Sequence, residues 1–332
     1  MEPREDRVSS RSEAAAWSPP RRKIQKLVLF TGFSCNSHCH FCIDLNKRDL
    51  PDKSTSVIVE EMVRARAAGI EYLEMIGGEA TIRRDFIPLV RTAKKLGFKD
   101  VVVVTNGRMF ASSEFAAATV AAGVTDLIFS IHGPDAKLHD ELTHAPGAFD
   151  ELVSGVRNAQ RHGLKRVFGN CTVIRQNMER LPEIAELFLR LDILHVEFIF
   201  VDPTYGGAYT NFRGLVPKIS EAAPFMRAAL DVGRRGGTRD FVVRYVPLCH
   251  FTDYLDQISE LREVSTFRTR HWAPDFQNND VGAGRAEVGR EKTARCRGCI
   301  LRDQCEGLWR EYLRRYGDAE LTPQSEVLRE TA

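Results

Sequence analysis

Three cysteines near the start of the chain are spaced like the ligands of a metal centre. Cys35, Cys39 and Cys42 form a CxxxCxxC run, whose loop also contains His38 and His40. Thiolates are soft ligands that suit zinc or iron–sulfur clusters. Because a closed zinc site takes four ligands, three thiols leave one position open unless a histidine fills it. The run therefore predicts either a zinc loop completed by histidine or a 4Fe–4S cluster with one iron free to bind another molecule.

A second set of cysteines lies towards the other end of the chain. Cys296 and Cys299 form a CxxC pair, Cys305 follows six residues later, and Cys249 lies upstream as a fourth thiol. Four thiolates would leave no open coordination position on a bound zinc ion or iron–sulfur cluster. The spacing permits two interpretations, a structural zinc ion and an auxiliary 4Fe–4S cluster.

Composition excludes several classes of protein and partner. The 332 residues contain 47 Lys and Arg against 45 Asp and Glu, so neither nucleic acid nor an anionic membrane is expected as a partner. No stretch reaches the roughly 18 uncharged apolar residues of a membrane span, and residues 1–17 do not resemble a signal peptide. We expect a cytoplasmic protein whose thiols are metal ligands and not disulfides. Cys171, in an apolar stretch, is expected to be an inert buried thiol.

Strand-like and helix-like segments alternate regularly after the first cysteine loop. Six strands are predicted, at residues 27–30, 72–76, 101–104, 127–131, 166–174 and 196–201. Helices are predicted at residues 54–68, 86–96, 114–122, 149–160 and 181–191. Such alternation predicts parallel strands joined by right-handed crossovers. Periodicity alone leaves open a closed barrel, a partial barrel and an open doubly wound sheet.

The pattern also divides the chain. Residues 1–22 are rich in Arg, Ser, Glu and Pro and are expected to form a disordered arm. Residues 23–215 form the predicted core. Residues 216–317 form a predicted extension that holds the second cysteine set, and residues 318–332 are expected to be a flexible tail.

The order of the motifs resembles the radical S-adenosylmethionine (SAM) superfamily. The CxxxCxxC loop, with Phe41 before its last cysteine, directly follows the first strand. Three short motifs end the next three strands: GGEAT at 77–81, TNG at 105–107 and SIHG at 130–133. The first is similar to the family's GGEP stretch, although Ala80 stands where proline is usual. The resemblance covers about residues 27–201.

The resemblance implies a fold and a set of cofactors. The fold would be α/β, a partial (β/α)6 TIM-type barrel with a small C-terminal cysteine-rich extension. Cys35, Cys39 and Cys42 would hold a 4Fe–4S cluster whose open iron chelates the amino and carboxylate groups of SAM. In the family, one electron from the reduced cluster cleaves SAM to methionine and a 5′-deoxyadenosyl radical, which abstracts hydrogen from the substrate.

Further residues are implied as contacts of SAM. The implied contacts at the strand ends are Gly77, Gly78, Glu79, Thr81, Asn106 and Ser130. Glu79 would accept hydrogen bonds from the methionyl amino group. Where the family often has an arginine after the fourth strand, this chain has Thr143 and His144, so either His144 or Arg175 is expected to bind the SAM carboxylate. The motifs assign no side chain to acid–base catalysis.

The second cysteine set resembles the twitch or shortened SPASM extension found in part of this family. That likeness implies that Cys249, Cys296, Cys299 and Cys305 hold one auxiliary 4Fe–4S cluster that serves electron transfer. Structural zinc remains the alternative.

The hypothesis that follows is a radical SAM oxidoreductase acting on a peptide or a small molecule, supplied with electrons by a flavodoxin- or ferredoxin-type protein. Within the family, an aminosugar-alcohol dehydrogenase is an alternative, and molybdenum-cofactor cyclases share the plan. An alternative of a different class is a non-catalytic metal-binding or electron-carrier protein with two cysteine metal sites.

Overall fold

The computed structural model describes residues 22–325. Residues 1–21 of the predicted arm and residues 326–332 of the predicted tail lie outside the described residues. No helix within 22–325 is both long and apolar enough to cross a membrane.

One nine-stranded sheet organises the chain, in the order β7-β6-β5-β4-β3-β2-β1-β8-β9. Every neighbouring pair from β7 to β8 is parallel, and only β9 runs antiparallel to its neighbour. The strands are β1 Ile24–Phe30, β2 Tyr72–Ile76, β3 Asp100–Thr105, β4 Asp126–Ser130, β5 Arg166–Val173, β6 Val196–Phe200, β7 Phe241–Arg244, β8 Phe267–Trp272 and β9 Gln277–Asn278. A separate antiparallel pair joins β10 Arg290–Glu291 to β11 Leu308–Trp309.

Helices follow the strands and cover one face of the sheet. They are α1 Thr55–Ala67, α2 Phe86–Lys95, α3 Ser113–Ala122, α4 Ala136–Thr143, α5 Ala148–Arg161, α6 Leu181–Arg190, α7 Gly206–Thr210, α8 Phe212–Leu215, α9 Ile219–Arg235, α10 Ser259–Thr266, α11 Val281–Gly284 and α12 Arg310–Tyr316. Serine side chains cap the starts of two of them. The Ser54 hydroxyl accepts a hydrogen bond from Val57 N at the start of α1, and the Ser112 hydroxyl accepts one from Phe115 N at the start of α3.

Side chains along each strand alternate between the core, which the helices cover, and the inner face of the sheet. Val101 and Val103 of β3 lie fully buried with Leu89 and Val90 of α2 in one continuous apolar cluster. The residues between them point to the opposite face, since successive side chains of a strand alternate. This arrangement is the parallel α/β sheet of a partial TIM barrel, as the sequence predicted.

The sheet extends beyond the six strands predicted for the barrel. β7 lies in the predicted extension yet pairs with β6, and β8 pairs with β1 at the opposite edge. β8 was not predicted, because its sequence FRTRHW is mostly polar. The predicted boundary at residue 215 therefore does not coincide with an edge of the sheet.

Helix α10 joins the two ends of the curved sheet. Glu263 contacts Arg244 of β7, accepts a hydrogen bond from the Thr269 hydroxyl of β8 at 3.3 Å, and lies 3.3 Å from Arg285 Nη1. Burial alone would raise the pKa of Glu263, but Arg244 and Arg285 lower it to about 2. A half-buried, ionised carboxylate thus bridges the seam between β7 and β8.

The C-terminal helix α12 packs back onto the core. The Tyr312 hydroxyl accepts a hydrogen bond from Ile219 N at 2.8 Å, and the Tyr316 hydroxyl donates to Val216 O at 2.8 Å. The start of the predicted flexible tail is packed as well: Leu321 is buried, and the Glu320 carboxylate accepts a hydrogen bond from Ser220 N. The expectation of a free tail from residue 318 is wrong for these residues, because their apolar and charged groups find partners on the core.

Candidate functional site

The cysteine loop leaves β1 at the carboxyl end of the sheet and is fixed by distant side chains. Asp52 accepts hydrogen bonds from Phe33 N at 2.7 Å and Ser34 N at 3.1 Å. Arg48 donates to Ser37 O at 3.0 Å and more weakly to Cys35 O. These contacts satisfy backbone groups that a tight, irregular loop would otherwise leave unpaired.

Two glycines let the second motif approach this loop closely. Gly77 and Gly78 both have positive φ, 91° and 55°. A Cβ on Gly78 would lie 2.1 Å from Ser34 O, and the next residue, Glu79, donates its N–H to the same oxygen at 2.8 Å. These glycines therefore contact the cysteine loop itself, whereas the resemblance implied that they contact SAM.

Glu79 is buried and collects hydrogen bonds from three residues. Its Oε1 accepts from the hydroxyls of Thr81 and Thr105 at 2.6 and 2.8 Å and from Thr81 N at 3.2 Å, and its Oε2 accepts from Asn106 N at 2.7 Å. Burial raises its pKa, and these hydrogen bonds oppose that shift. Oε2 accepts only one bond among the described residues and has capacity for a second.

Asn106 links the third strand to the cysteine loop. Its Nδ2 donates to Asn36 Oδ1 at 2.7 Å and to Ser37 Oγ at 3.3 Å, and it lies 3.8 Å from Cys35 Sγ. Beside it, Arg108 donates to Asn36 O and pairs with Glu151. The end of β3 thus positions the loop's first thiol.

The three thiols of the loop share one environment. Each is partly exposed. Burial raises the pKa of Cys35 and of Cys42, and burial together with the neighbouring Cys42 and Cys35 raises the pKa of Cys39 to about 12. Without a metal these groups are neutral thiols, so a bound cluster must supply the charge that removes their protons.

Helix α7 closes the loop from the other side. A Cβ on Gly207 would lie 1.8 Å from His40 O, and one on Gly206 would lie 2.2 Å from Cys42 O. Gly207 N also donates to Cys42 O at 2.9 Å. The segment after β6 thus gives backbone support to the last thiol of the loop.

The two candidates for the SAM carboxylate lie in different settings. His144 caps α4 with φ 51°, is exposed, and its ring lies 4.5 Å from the ring of His40. Arg175 instead pairs with Glu221 at 3.1 Å and donates to Val216 O and to the Tyr316 hydroxyl. Only His144 is brought to the cysteine loop, while Arg175 ties helix α12 to the core.

The remaining strand-end residues lie around the same mouth. Ser130 is half-buried at the end of β4 and pairs in register with Asn170 of β5. His132 is buried with its ring 4.7 Å from Phe41, and its Nδ1 accepts a hydrogen bond from Thr172 N. Burial, with His139 nearby, lowers the pKa of His132 to about 3, which makes it a neutral packing group.

The four C-terminal thiols line one small pocket together. Cys249, Cys296, Cys299 and Cys305 all face it, between β7 and the last helix. Gly307 N donates to Cys305 Sγ at 3.3 Å, and Gln324 N donates to Cys299 Sγ at 3.4 Å. Backbone N–H groups directed at sulfur suit a thiolate-bound group, so the donor set fits either a 4Fe–4S cluster or zinc.

Within residues 22–325, no three His, Cys, Asp or Glu side chains meet closely enough to hold a single metal ion. The ligand sets at both thiol sites stay predictions. For the first site, the chemistry of three neighbouring thiols with an open side fits the cluster that the sequence implies.

Polar side chains line the inner face of the sheet below these sites. Lys26 of β1 pairs with Glu74 of β2 at 2.6 Å, and Glu197 of β6 pairs with Arg244 of β7 at 3.0 Å. His271 of β8 is held neutral, because burial and Lys26 lower its pKa to about 4. The interior is therefore suited to a polar substrate.

Sequence reasoning missed Arg48 and Arg108, which both bind carbonyls of the cysteine loop. Arg48 lies six residues after Cys42, but an arginine in a polar loop carries no signal of this role. Gly206 and Gly207 did stand out in the sequence, although their contact with the loop could not be inferred.

Comparison with known proteins agrees with this site. Residues 29–188, which contain the cysteine loop and the motifs at the ends of β2, β3 and β4, match the family model of the radical SAM superfamily. Over these residues, just under half of the chain, the protein is similar to the radical SAM superfamily.

Curated relatives match part of the chain. The probable GTP 3′,8-cyclase of Saccharolobus solfataricus is 31% identical over 185 residues, 55% of this chain and 58% of that protein. The probable GTP 3′,8-cyclase of Sulfurisphaera tokodaii is 28% identical over 194 residues, 57% of this chain and 60% of that protein. The chain thus spans about three fifths of the length of these relatives.

Solved structures match over nearly the whole chain. Streptococcus suis SuiB bound to precursor peptide SuiA has a TM-score of 0.61 at 16% identity, covering 91% of this chain and 74% of that chain. Native anSMEcpe with bound AdoMet and Cp18Cys peptide has a TM-score of 0.63 at 14% identity, covering 91% and 92%. At these identities the likeness shows a shared fold, which includes the C-terminal region.

Proposed function

We propose that this protein is a radical SAM oxidoreductase that acts on a peptide. The single observation that carries the proposal is the convergence of Glu79 and Asn106 on the Cys35–Cys42 loop, with one carboxylate oxygen still able to accept a hydrogen bond. Three thiols with an open side, beside an acceptor suited to an ammonium group, fit SAM better than they fit a closed zinc site.

Residues of this chain would hold the cofactors. Cys35, Cys39 and Cys42 would bind a 4Fe–4S cluster, which, when bound with SAM, supplies the electron that yields a 5′-deoxyadenosyl radical. Glu79 Oε2 would accept a hydrogen bond from the methionyl amino group. His144 would face the SAM carboxylate, and Ser130 lies at the strand end where ligands of α/β folds bind. An external flavodoxin- or ferredoxin-type protein would supply electrons.

The second thiol site would hold an auxiliary 4Fe–4S cluster. Four thiols facing one pocket support four-thiolate ligation, which closes the coordination and favours electron transfer over substrate binding. The site adjoins a larger cavity through Cys305.

A peptide substrate is supported by two of the structural neighbours, each of which was solved with a peptide bound. A second candidate is a reaction on a guanine nucleotide, favoured by the 31% identity to a probable GTP 3′,8-cyclase. That match stops short of two thirds of the relative's length, so it bears on the radical SAM core more than on the substrate.

Anaerobic reconstitution tests the proposal. The holoprotein is expected to carry about eight iron per chain and to convert SAM to 5′-deoxyadenosine when reduced with dithionite. Iron is measured by colorimetric assay and 5′-deoxyadenosine by chromatography. About two zinc per chain without SAM cleavage would overturn the proposal in favour of a non-catalytic metal protein.

A further inference from the structure

A large cavity separates the barrel from the second thiol site. Its volume is about 1120 Å³, and helix α10, strand β8, helix α11 and the segment that carries Cys305 line it. Five basic and six acidic side chains face this space, together with apolar groups such as Leu261 and Phe267. Its charges nearly cancel, so the cavity carries no strong field for an anion or a cation.

Arg290 lines the cavity with hydrogen-bonding capacity to spare. It is 1% exposed, its guanidinium lies 4.8 Å from the Trp309 ring, and its Nη2 donates to Gly307 O at 2.7 Å. Its Nε and Nη1 find no hydrogen-bond partner among the described residues. A buried donor left unpaired is destabilising, so these two N–H groups call for an acceptor from beyond the described residues.

Glu260 presents the complementary group. It is 5% exposed and lines the same cavity. Its Oε1 accepts a hydrogen bond from Tyr245 N at 2.5 Å, while Oε2 has no partner in the described part of the chain. Glu260 lies within the electrostatic reach of Arg290, yet the two form no ion pair. A gap therefore separates an unpaired acceptor from unpaired donors.

The pair lies at the mouth of the barrel. Tyr245, which holds Glu260, directly follows β7, and its ring lies 5.0 Å from Trp309. Burial raises the pKa of Asp202, which follows β6, and the nearby charge of Arg290 opposes that shift. The gap is thus placed between the carboxyl ends of the strands and Cys305.

We infer that Arg290 and Glu260 form a binding site for an amide group of the substrate's main chain. A peptide amide offers one acceptor and one donor, which match the free N–H groups of Arg290 and the free oxygen of Glu260. The near-neutral cavity suits such an uncharged chain and disfavours a nucleoside triphosphate. The inference rests on the proposed function, because it supplies the contact that would hold the peptide beside the reacting centre.

Saturation-transfer NMR on the reconstituted holoprotein tests the site, with the blocked dipeptide N-acetyl-alanyl-alaninamide as probe. The wild-type protein is expected to transfer saturation to the probe's methyl groups. Arg290→Met and Glu260→Gln are each expected to reduce the signal at least about five-fold, since each removes one hydrogen bond to the amide. Arg190→Met, at an exposed pair on α6, is the control and is expected to leave the signal unchanged.

Two further measurements keep the outcomes distinct. Circular dichroism checks folding, and if Arg290→Met unfolds, the Glu260→Gln variant decides. GTP is expected not to displace the dipeptide. Displacement by GTP, or equal signals in all variants, would overturn the site. Cleavage of SAM measured on the same preparations tells whether the proposed function has failed separately.

Discussion

Single side chains from distant parts of the sequence hold the thiols of the first site. Arg48 donates to Ser37 O, and Asn106 donates to the side chains of Asn36 and Ser37. Burial keeps the thiols neutral in the absence of metal, so binding of a cluster is coupled to release of their protons. The thiols that a cluster would bind are thus positioned by contacts that form without the cluster.

Replacing one thiol separates the two sites. Cys39→Ala is expected to lower iron from about eight to about four per chain and to reduce SAM cleavage to background, since its site loses one of three ligands. Cys299→Ala is expected to lose an equal amount of iron, from the second thiol site, but to retain SAM cleavage. Cys171→Ala, at a buried thiol without a metal role, is the control and should keep both. Equal loss of cleavage in Cys39→Ala and Cys299→Ala would contradict the division of roles.

At the scale of elements, the cysteine loop is packed between helices α4 and α7. His38 N donates to Thr143 O and His40 N donates to Leu142 O, both at the end of α4. Gly207 of α7 contacts the loop's backbone directly. The two short helices therefore help to determine the shape of the loop.

The contact with α7 leaves no space for a side chain. Gly207→Ala would place a Cβ 1.8 Å from His40 O, a backbone atom that cannot rotate away. We expect a loss of about 1–3 kcal/mol in the free energy of unfolding, measured with urea, together with a lower iron content. Gly282→Ala, where the nearest atom lies 3.8 Å away, should change stability by no more than about 1 kcal/mol. A normal iron content in Gly207→Ala would show that the loop tolerates displacement.

The packing of α4 against β4 makes stability depend on pH. Burial lowers the pKa of His132 to about 3 and that of His139 to about 4, while an unfolded histidine titrates near 6.5. Below pH 6.5 the unfolded chain binds protons that the folded chain does not, so stability falls with pH until the folded groups titrate. Each histidine contributes up to about 1.4 kcal/mol per pH unit.

His139→Asn tests this dependence. Asn Oδ1 can accept the hydrogen bond that His139 Nδ1 accepts from His132 N, but it does not titrate. Urea unfolding between pH 4.5 and 6 should show a slope shallower by about 1 kcal/mol per pH unit in the variant. An unchanged slope would mean that His139 is protonated in the folded protein.

The whole molecule is a curved sheet whose two ends are joined through α10. Glu263 makes that junction with Arg244 and Arg285. The junction also borders the large cavity, because Glu263 and Arg285 both line it. Strands β7 and β8 do not pair, so the two sides of the seam are bridged by α10 and its charged groups.

Removing the charge of Glu263 at the seam should lower the stability of the fold. Glu263→Gln removes the carboxylate that Arg244 and Arg285 share, while Glu197 and Glu306 still pair with these arginines, so we expect a loss of about 1.5–3 kcal/mol in the free energy of unfolding. Glu186→Gln, at an exposed pair 3.9 Å from Arg190, is the matched control and should change stability by less than about 1 kcal/mol. Calorimetry or urea unfolding checks both. Equal stability of the two variants would show that the seam is held by packing alone.

The sequence predicted the apolar strands of the sheet and failed at β8, which borders the cavity. Residues 101–104 are apolar throughout, whereas β8 carries two arginines and a histidine. The sequence located helix α1, yet two of its valines, Val57 and Val63, are exposed.

For the candidate site, spacing alone revealed the thiols, because adjacent ligands must be close in sequence on a tight loop. Arg48, Arg290 and Glu260 gave no such signal. Their roles depend on which backbone groups and cavities the fold brings beside them, and neither periodicity nor motif order contains that information.

The pairing of β1 with β8 bears on how the chain folds as it is made. β1 emerges from the ribosome early, but its second neighbour is near the opposite end of the chain, where Ile24 meets Phe267. At about 5–20 residues per second, the wait is on the order of tens of seconds. Through that interval β1 presents an open, hydrogen-bonding edge to other nascent chains. Truncation before residue 267 would make that exposure permanent, and such a fragment should aggregate.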